Sequence, residues 1–301
     1  AHLLGPCLDA LRRQTLRGFE VLVVDGGSTD GTTDLVASYP EVRLVSLGRN
    51  RGFAAAVNEG IRRARADVVV LLNNDTEAES GWLEALVGAL CVEPTIGMAT
   101  SKVRLFDRRD TLHTTGDTVD LAGFAANRGV WQRDEGQWDG AVDVFGASGA
   151  AAAYRRSLFA DVGLFEEAFG SYLEDVDLAW RARLAGWRCV LAPDAVVYHR
   201  LSATGGGPMA SYLVARNRVW LIARNYPAKL LARHWRHVAR AQLGELRRAL
   251  GAWRGAAARA TLRGLLVGWC TWPRMLAARR RIQAGRRITD RQLESLLERG
   301  A

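Results

Sequence analysis

The acidic residues of most chemical interest in this chain stand at the ends of apolar runs or at the start of a helical one. Val21-Leu22-Val23-Val24-Asp25 closes on a carboxylate, and Val68-Val69-Val70-Leu71-Leu72-Asn73-Asn74-Asp75 closes on two amides and another. Glu174-Asp175-Val176-Asp177 opens a helical stretch, and His199 ends a later apolar run, Val190 to Val197. Carboxylates so placed can hold a divalent cation, accept hydrogen bonds from a ligand, or take a proton as general base. Each has a plainer alternative, because a turn or first-turn acid also satisfies free backbone N–H groups. Asp177 and Arg181, four apart on one helix face, are expected to pair or to orient the site.

The elements that must present these residues follow an α/β rhythm. Leu3 to Thr15 reads as a helix, with Pro6 in its first turn and Leu4, Leu8 and Leu11 on one face. The run from Phe19 to Asp25 is then a strand, Asp34 to Ser38 a helix, Val42 to Leu47 a strand, and Phe53 to Arg65 a helix that feeds Val68 to Leu72. Alternation of this kind predicts a parallel sheet with right-handed crossovers. Unbroken Val and Leu at 68 to 72 predicts a strand covered on both faces, delivering Asp75 to the sheet's carboxyl edge, where ligands bind in such folds. Gly26-Gly27-Ser28-Thr29-Asp30-Gly31 lacks the G-x-G-x-x-G spacing of a dinucleotide site, which argues against an ordinary dehydrogenase.

After a helix from Ser80 to Leu90, the region from Ile96 to Trp138 reads as short strands in a mixed or antiparallel arrangement. Small residues return at Phe145-Gly146-Ala147-Ser148-Gly149-Ala150, where another group can approach the backbone closely. A helix from Arg156 to Val162 follows, then the acidic helix, which runs to about Ala185.

Composition divides the chain. Of its 301 residues, the first 200 carry 21 Lys and Arg against 28 Asp and Glu, a net of −7. Residues 201 to 301 carry 20 against 4, a net of +16, and hold five of the ten tryptophans. The two parts therefore face different partners. Cys7, Cys91, Cys189 and Cys270 are dispersed without ligand spacing, which argues against a zinc site or disulfide framework and for a reducing compartment. The opening residues lack the pattern of a signal peptide, and arginines interrupt every apolar run before it reaches membrane-spanning length.

Four segments in register resemble glycosyltransferase family 2. They are Val23-Val24-Asp25-Gly26-Gly27-Ser28-Thr29-Asp30-Gly31-Thr32; Asn50-Arg51-Gly52-Phe53 with Asn58 and Gly60; Leu71-Leu72-Asn73-Asn74-Asp75; and Tyr172 to Arg181 continuing to Tyr198-His199. The likeness covers roughly residues 1 to 205 and is nearest to bacterial rhamnosyltransferase-like members that build cell-wall or surface polysaccharide. It implies the GT-A fold with a mixed central sheet. It also implies an inverting single displacement from a nucleotide-diphosphate sugar to a saccharide or lipid-linked acceptor, with Mg²⁺ or Mn²⁺ as cofactor. By resemblance, Asp25, Gly26, Ser28, Arg51, Gly52, Asn73 and Asn74 contact the nucleotide, while Asp75 and His199 hold the metal. Asp175 is the general base, with Glu174 as its competitor.

The chain departs from the family in two places. Asn73 replaces the first acid of the family's Asp-x-Asp motif, leaving Asp75 as the motif's one carboxylate. Ala1 to Gly5 already enters the first helix, where the family has a strand, so the expectation is an incomplete copy or a member that binds without catalysis. Residues 206 to 301 read as basic, Trp-bearing amphipathic helices suited to an anionic membrane surface, placing the protein at the inner face of the cell membrane on its cytoplasmic side. Alternatives are a solvated bundle, an oligomer interface, or phosphate contacts from Arg279-Arg280-Arg281 and Arg286-Arg287; no nucleic-acid reader motif accompanies these.

Overall fold

The computed structural model describes residues 1–140, 142–201 and 206–297. The expected boundary at residue 205 lies outside the described residues. Helix α1 (Leu4–Arg12) packs Leu4 and Leu8 against Val36 and Tyr39. Strand β1 (Val21–Asp25), helix α2 (Thr32–Ala37) and strand β2 (Val42–Ser46) form a parallel pair, in register from Val21 opposite Val42 to Asp25 opposite Ser46. Helix α3 (Phe53–Arg63) then leads to β3 (Val68–Leu72).

The expected mixed central sheet is present, but the expectation that β1, β2 and β3 share one parallel sheet is corrected. Among the described residues β3 does not join β1; it pairs antiparallel with β10 (Ala151–Arg155), Leu72 lying opposite Ala151. Between β1 and β3 lies a cavity of about 1010 Å³ lined by both strands, by α1 and by α3. This explains a second departure. Of residues 68 to 72 Val69 alone is fully buried, because the edge of β3 away from β10 opens on that space.

The main sheet is mixed. Its order is β3, β10, β5 (Ile96–Leu105), β11 (Arg188–His199) and β4 (Thr76–Ala78), with β5 and β11 parallel and the other neighbours antiparallel. Beside this path β6 (Leu112–Thr114) pairs with β5, and β9 (Asp143–Val144) with β11. The strands β7 (Asp117–Val119) and β8 (Ala125–Asn127) form a separate hairpin. Ile96 to Leu105 is thus one long strand in the region read as short pieces. Ala151, Ala152 and Ala153 are fully buried in β10, their small side chains admitting helix α4 (Trp82–Cys91) on one face. Helices α5 (Arg156–Val162) and α6 (Glu174–Leu184) cover the other.

The C-terminal helices are α7 (Gly207–Asn225), α8 (Ala228–Gly251), α9 (Ala256–Thr271), α10 (Leu276–Ala284) and α11 (Asp290–Leu296). They share a hydrophobic core with the sheet domain, since Trp220, Leu221, Tyr226, Leu230 and Leu293 pack into the cluster that holds Leu178, Trp180 and Leu184. Burying each such leucine contributes about 1.5–3 kcal/mol, so this contact is a substantial part of the fold. Helix α9 approaches α7 closely at Gly264, where a Cβ would collide with the Tyr212 carbonyl. Among the described residues no helix is long and apolar enough to cross a membrane.

Candidate active site

Strand register places Asp75 beside His199. The antiparallel pairing of β11 with β4 sets His199 opposite Thr76, one residue past Asp75, and the Arg200 amide donates to the Asp75 carbonyl at 3.0 Å. His199 Nε2 then lies 3.1 Å from Asp75 Oδ1, with both side chains buried. A third residue, unforeseen in the sequence, extends the row. His113, in the middle of β6, sets its Nδ1 3.2 Å from His199 Nδ1 and its Nε2 3.3 Å from Asn127 Nδ2. Burial and the neighbouring His199 push the His113 imidazole down to about 4, so it is neutral at physiological pH.

One proton arrangement satisfies the whole row. Asn127 donates to His113 Nε2, His113 Nδ1–H donates to His199 Nδ1, and His199 Nε2–H donates to Asp75.

Asp75 and His199 offer one oxygen and one nitrogen donor. Among the described residues no group of three or more His, Cys, Asp and Glu is arranged around a common metal position. An oxygen and a nitrogen donor are a chemically suitable partial set for an ion such as Mg²⁺ or Mn²⁺, which commonly fills its other positions with phosphate and water.

Asn73 and Asp175 both bond the loop that precedes β10. The Asn73 amide donates to the Ala150 carbonyl at 2.9 Å, and the neighbouring Gly149 amide donates to Asp175 Oδ2 at 2.9 Å. A Cβ at Gly149 would stand 3.1 Å from that oxygen, so the small residue is what lets the carboxylate in. Asp175 also accepts from its own Val176 amide at 2.8 Å. Burial nevertheless outweighs these donors and raises its carboxyl above the ordinary range. Glu174 differs: it is 5% exposed, with Oε2 lacking a hydrogen-bond partner, and burial followed by Asp175 raises it further. Asp175 is the more accessible of the two.

Asp25 behaves first as a turn residue. Its carboxylate accepts from the Gly27 and Ser28 amides at 3.1 Å, and although burial opposes ionisation, the Ser28 hydroxyl and these amides hold it below the ordinary range. Gly27 (φ 89°) permits the turn to press on Gly48 and Arg49. Asp25, Gly26, Ser28, Asn73 and Asn74 line one wall-to-wall cavity together with Gly149. Arg51 and Gly52 stand apart from it. Arg51 faces Glu167 at 3.5 Å, and Gly52 (φ 88°) packs on Gly170, where a Cβ would be 3.1 Å from backbone.

A family model described as Glycosyl transferase family 2 matches residues 1–163. The chain belongs to that family. This glycosyltransferase is 33% identical over 241 residues to the N-acetylglucosaminyl-diphospho-decaprenol L-rhamnosyltransferase of Mycobacterium tuberculosis, a match covering 71% of this chain and 78% of that protein. It is 27% identical over 191 residues to the poly-beta-1,6-N-acetyl-D-glucosamine synthase of Staphylococcus aureus, covering 62% and 44% respectively. Among solved structures, mannosyltransferase PcManGT from Pyrobaculum calidifontis, in complex with GDP-Man and Mn²⁺, superposes with a TM-score of 0.57 at 22% identity over 95% of this chain and 82% of that one. GalNAc-T7 with UDP, GalNAc and Mn²⁺ superposes with a TM-score of 0.59 at 14% identity, covering 72% and 44%. These likenesses show the GT-A fold.

In the glycosyltransferase the expected Asp177–Arg181 pair is present, with Arg181 Nε donating at 2.8 Å. It is larger than expected, because α7 supplies Arg224 Nε at 2.8 Å and Asn225 Nδ2 at 2.7 Å to the other oxygen. The expectation that helices from residue 206 onward present their tryptophans to a membrane does not hold for the later turns of α7, where Trp220 is buried with its indole donating to Thr271 at 2.9 Å and Asn217 points inward. Arginine-rich composition gave no signal of which residues turn to the core.

Proposed function

We propose that this family 2 member transfers a sugar from a nucleotide-diphosphate donor to a saccharide or lipid-linked acceptor, with inversion at the anomeric carbon. The observation that carries the reading is the loop from Ser148 to Ala150, which holds Asn73 by its Ala150 carbonyl and Asp175 by its Gly149 amide. One short loop thereby joins the donor platform to the base.

In this reading Asn73 and Asn74 bond the ribose and Asp25 the base edge, using carboxylate lone pairs its turn leaves over. Asp175 takes the proton from the acceptor hydroxyl as that oxygen attacks from the face opposite the leaving group. Asp75 and His199 would hold Mg²⁺ or Mn²⁺. The ion would offset charge on the departing nucleoside diphosphate. The rhamnosyltransferase likeness supports a deoxyhexose donor and a lipid-linked acceptor.

The C-terminal helices support an approach to anionic lipid. Trp235, Trp253, Trp269 and Trp272 are exposed within the segment of net charge +16, the composition of an interfacial surface.

The test is transfer from UDP-, GDP- and dTDP-sugars in Mn²⁺ or Mg²⁺, comparing the chain with Asp75→Ala and Asp175→Asn. Each substitution is expected to lower turnover by about 10²-fold or more. Turnover unaffected by both would refute the assigned site. A second reading, nucleotide binding without turnover, is favoured by one observation: Asp25 ends, and Asp75 follows, strands that lie on different sheets across the cavity. It predicts nucleotide-dependent thermal stabilisation with no sugar released.

A further inference from the structure

The residues immediately before α6 adopt an unfavourable conformation. Tyr172 and Leu173 have φ of 68° and 66°, two consecutive side-chain-bearing residues in the left-handed region. Leu173 is the residue from which the helix departs, its carbonyl accepting the Asp177 amide at 2.9 Å. Its dihedrals therefore set where Glu174 and Asp175 point.

What holds this loop comes from α7. The Nδ2 of Asn217, fully buried, lies within hydrogen-bond distance of three carbonyls of the loop, Phe169 at 3.1 Å, Ser171 at 3.0 Å and Tyr172 at 2.7 Å, so that its two hydrogens serve all three with one of them shared. Its Oδ1 accepts from Arg216 Nε at 2.9 Å, which fixes the amide's orientation, and Arg216 Nη2 donates to Phe169 O at 2.9 Å and Ala168 O at 3.2 Å. No other side-chain type offers two N–H donors and one acceptor on so short a stem, glutamine being one carbon longer. The Tyr172 hydroxyl adds a further tie by accepting from the Gly206 amide at 3.0 Å.

We propose that Asn217 is a positioning residue for Asp175, fixing the carboxylate against the Gly149 amide by holding Tyr172 and Leu173 in the left-handed conformation. This rests on the reading of Asp175 as the base. Asn217 touches no substrate; it acts through the loop. The C-terminal helices then have a catalytic purpose, since α7 completes the geometry of a site whose other parts come from the sheet domain.

Two measurements on the full chain test this. The first is amide hydrogen exchange of Asn217→Ala. Exchange at Val176 and Asp177, in the first turn of α6, is expected to quicken by at least about tenfold, while Leu86 and Leu90 in α4 keep their rates. Equal acceleration in both helices, or none in either, overturns the proposal. The second is a double-mutant cycle on turnover of the UDP-, GDP- or dTDP-sugar that the chain consumes. Asn217→Ala alone is expected to lower kcat between about 10- and 100-fold with donor KM changed less than about twofold, and to cost nothing further once Asp175→Asn is present. A merely structural role would cost the same fold in both backgrounds, and that result overturns the positioning role while leaving the base in place. Full activity in Asp175→Asn alone would instead remove the base itself.

Discussion

The Nδ1 atoms of His113 and His199 face each other at 3.2 Å, with Asp75 on the far side of His199. Two ring nitrogens at this distance can share one proton, and which ring carries it decides what the other nitrogen of His199 presents. With the proton on His113, His199 Nε2–H points at Asp75. For His199 to offer Nε2 as a ligand, its Nδ1 must carry the proton and His113 must accept it. Partners of this kind typically contribute 10–100-fold to metal affinity. His113→Phe keeps the ring and removes the acceptor, so Mn²⁺ affinity in the presence of nucleoside diphosphate is expected to fall by about that factor. Mn²⁺ electron paramagnetic resonance titration reads this, and an unchanged dissociation constant would show that His113 only packs.

The contact between Asp177 and Arg224 joins the acidic helix to α7 in a fully buried setting. Burial opposes ionisation of Asp177, but Arg181, Arg224 and Asn225 outweigh it and hold the carboxyl below the ordinary range. Arg224→Met removes one cation from a buried group, which costs on the order of 3 kcal/mol. For a chain of 301 residues that is a fall in melting temperature of about 5 °C at neutral pH. The sign with pH follows from the depressed pKa: the stabilisation is present above about pH 4, the unfolded value, and is lost as pH falls through the folded one. The gap between wild type and Arg224→Met in thermal scans should therefore narrow in acid. A gap independent of pH would mean that the loss is one of packing.

These two relationships also show what the sequence conceals. The placement of Asp25, Asp75, Asp175 and His199 at or beside element ends is legible, because local pattern locates element ends. Their neighbours are not. His113 sits mid-strand in β6 among threonines, and it reaches His199 only because β6 and β11 both flank β5. Asn217 and Arg224 belong to a helix whose arginines look like a solvated face until α9 and the sheet domain are packed around it. Likewise the strand-helix alternation announced a parallel sheet, but which edges meet depends on long-range pairing, and β3 pairs with β10, some eighty residues further along the chain.

Asp117 is buried close enough to Asp175 to feel its charge, and its Oδ2 has no hydrogen-bond partner. Burial, with Asp175 adding to it, raises its carboxyl well above the ordinary range; Tyr154 on β10 and Glu174 on α6 share the same pocket of mutual repulsion. A raised carboxyl pKa means that the folded state keeps a proton which the unfolded state gives up above about pH 4. Stability is therefore lost as pH rises from that point towards the folded pKa. Asp117→Asn keeps the shape and cannot ionise. Relative to wild type, its melting temperature is expected to rise by a few degrees between pH 5 and pH 8, each kcal/mol being worth about 1.6 °C in a chain of 301 residues. An offset that does not grow with pH would mean that Asp117 is ionised in the folded protein.

The exposed tryptophans and the charge of the C-terminal helices make a claim that vesicles can test. Arg280 and Arg281 are exposed on α10, which follows directly on Trp269 and Trp272. Near an anionic surface each arginine is worth about 1 kcal/mol, so Arg280→Gln with Arg281→Gln should weaken binding to phosphatidylglycerol vesicles about 30-fold at low salt. Trp269→Ala with Trp272→Ala should instead weaken binding in a way that added salt does not reproduce, because insertion of an indole at the interface is not screened. Vesicles of phosphatidylcholine alone serve as the neutral surface and should retain little protein. Sedimentation that is equal on neutral and anionic vesicles, or insensitive to both pairs of substitutions, would assign these helices to a protein partner and leave the acceptor to be met in solution.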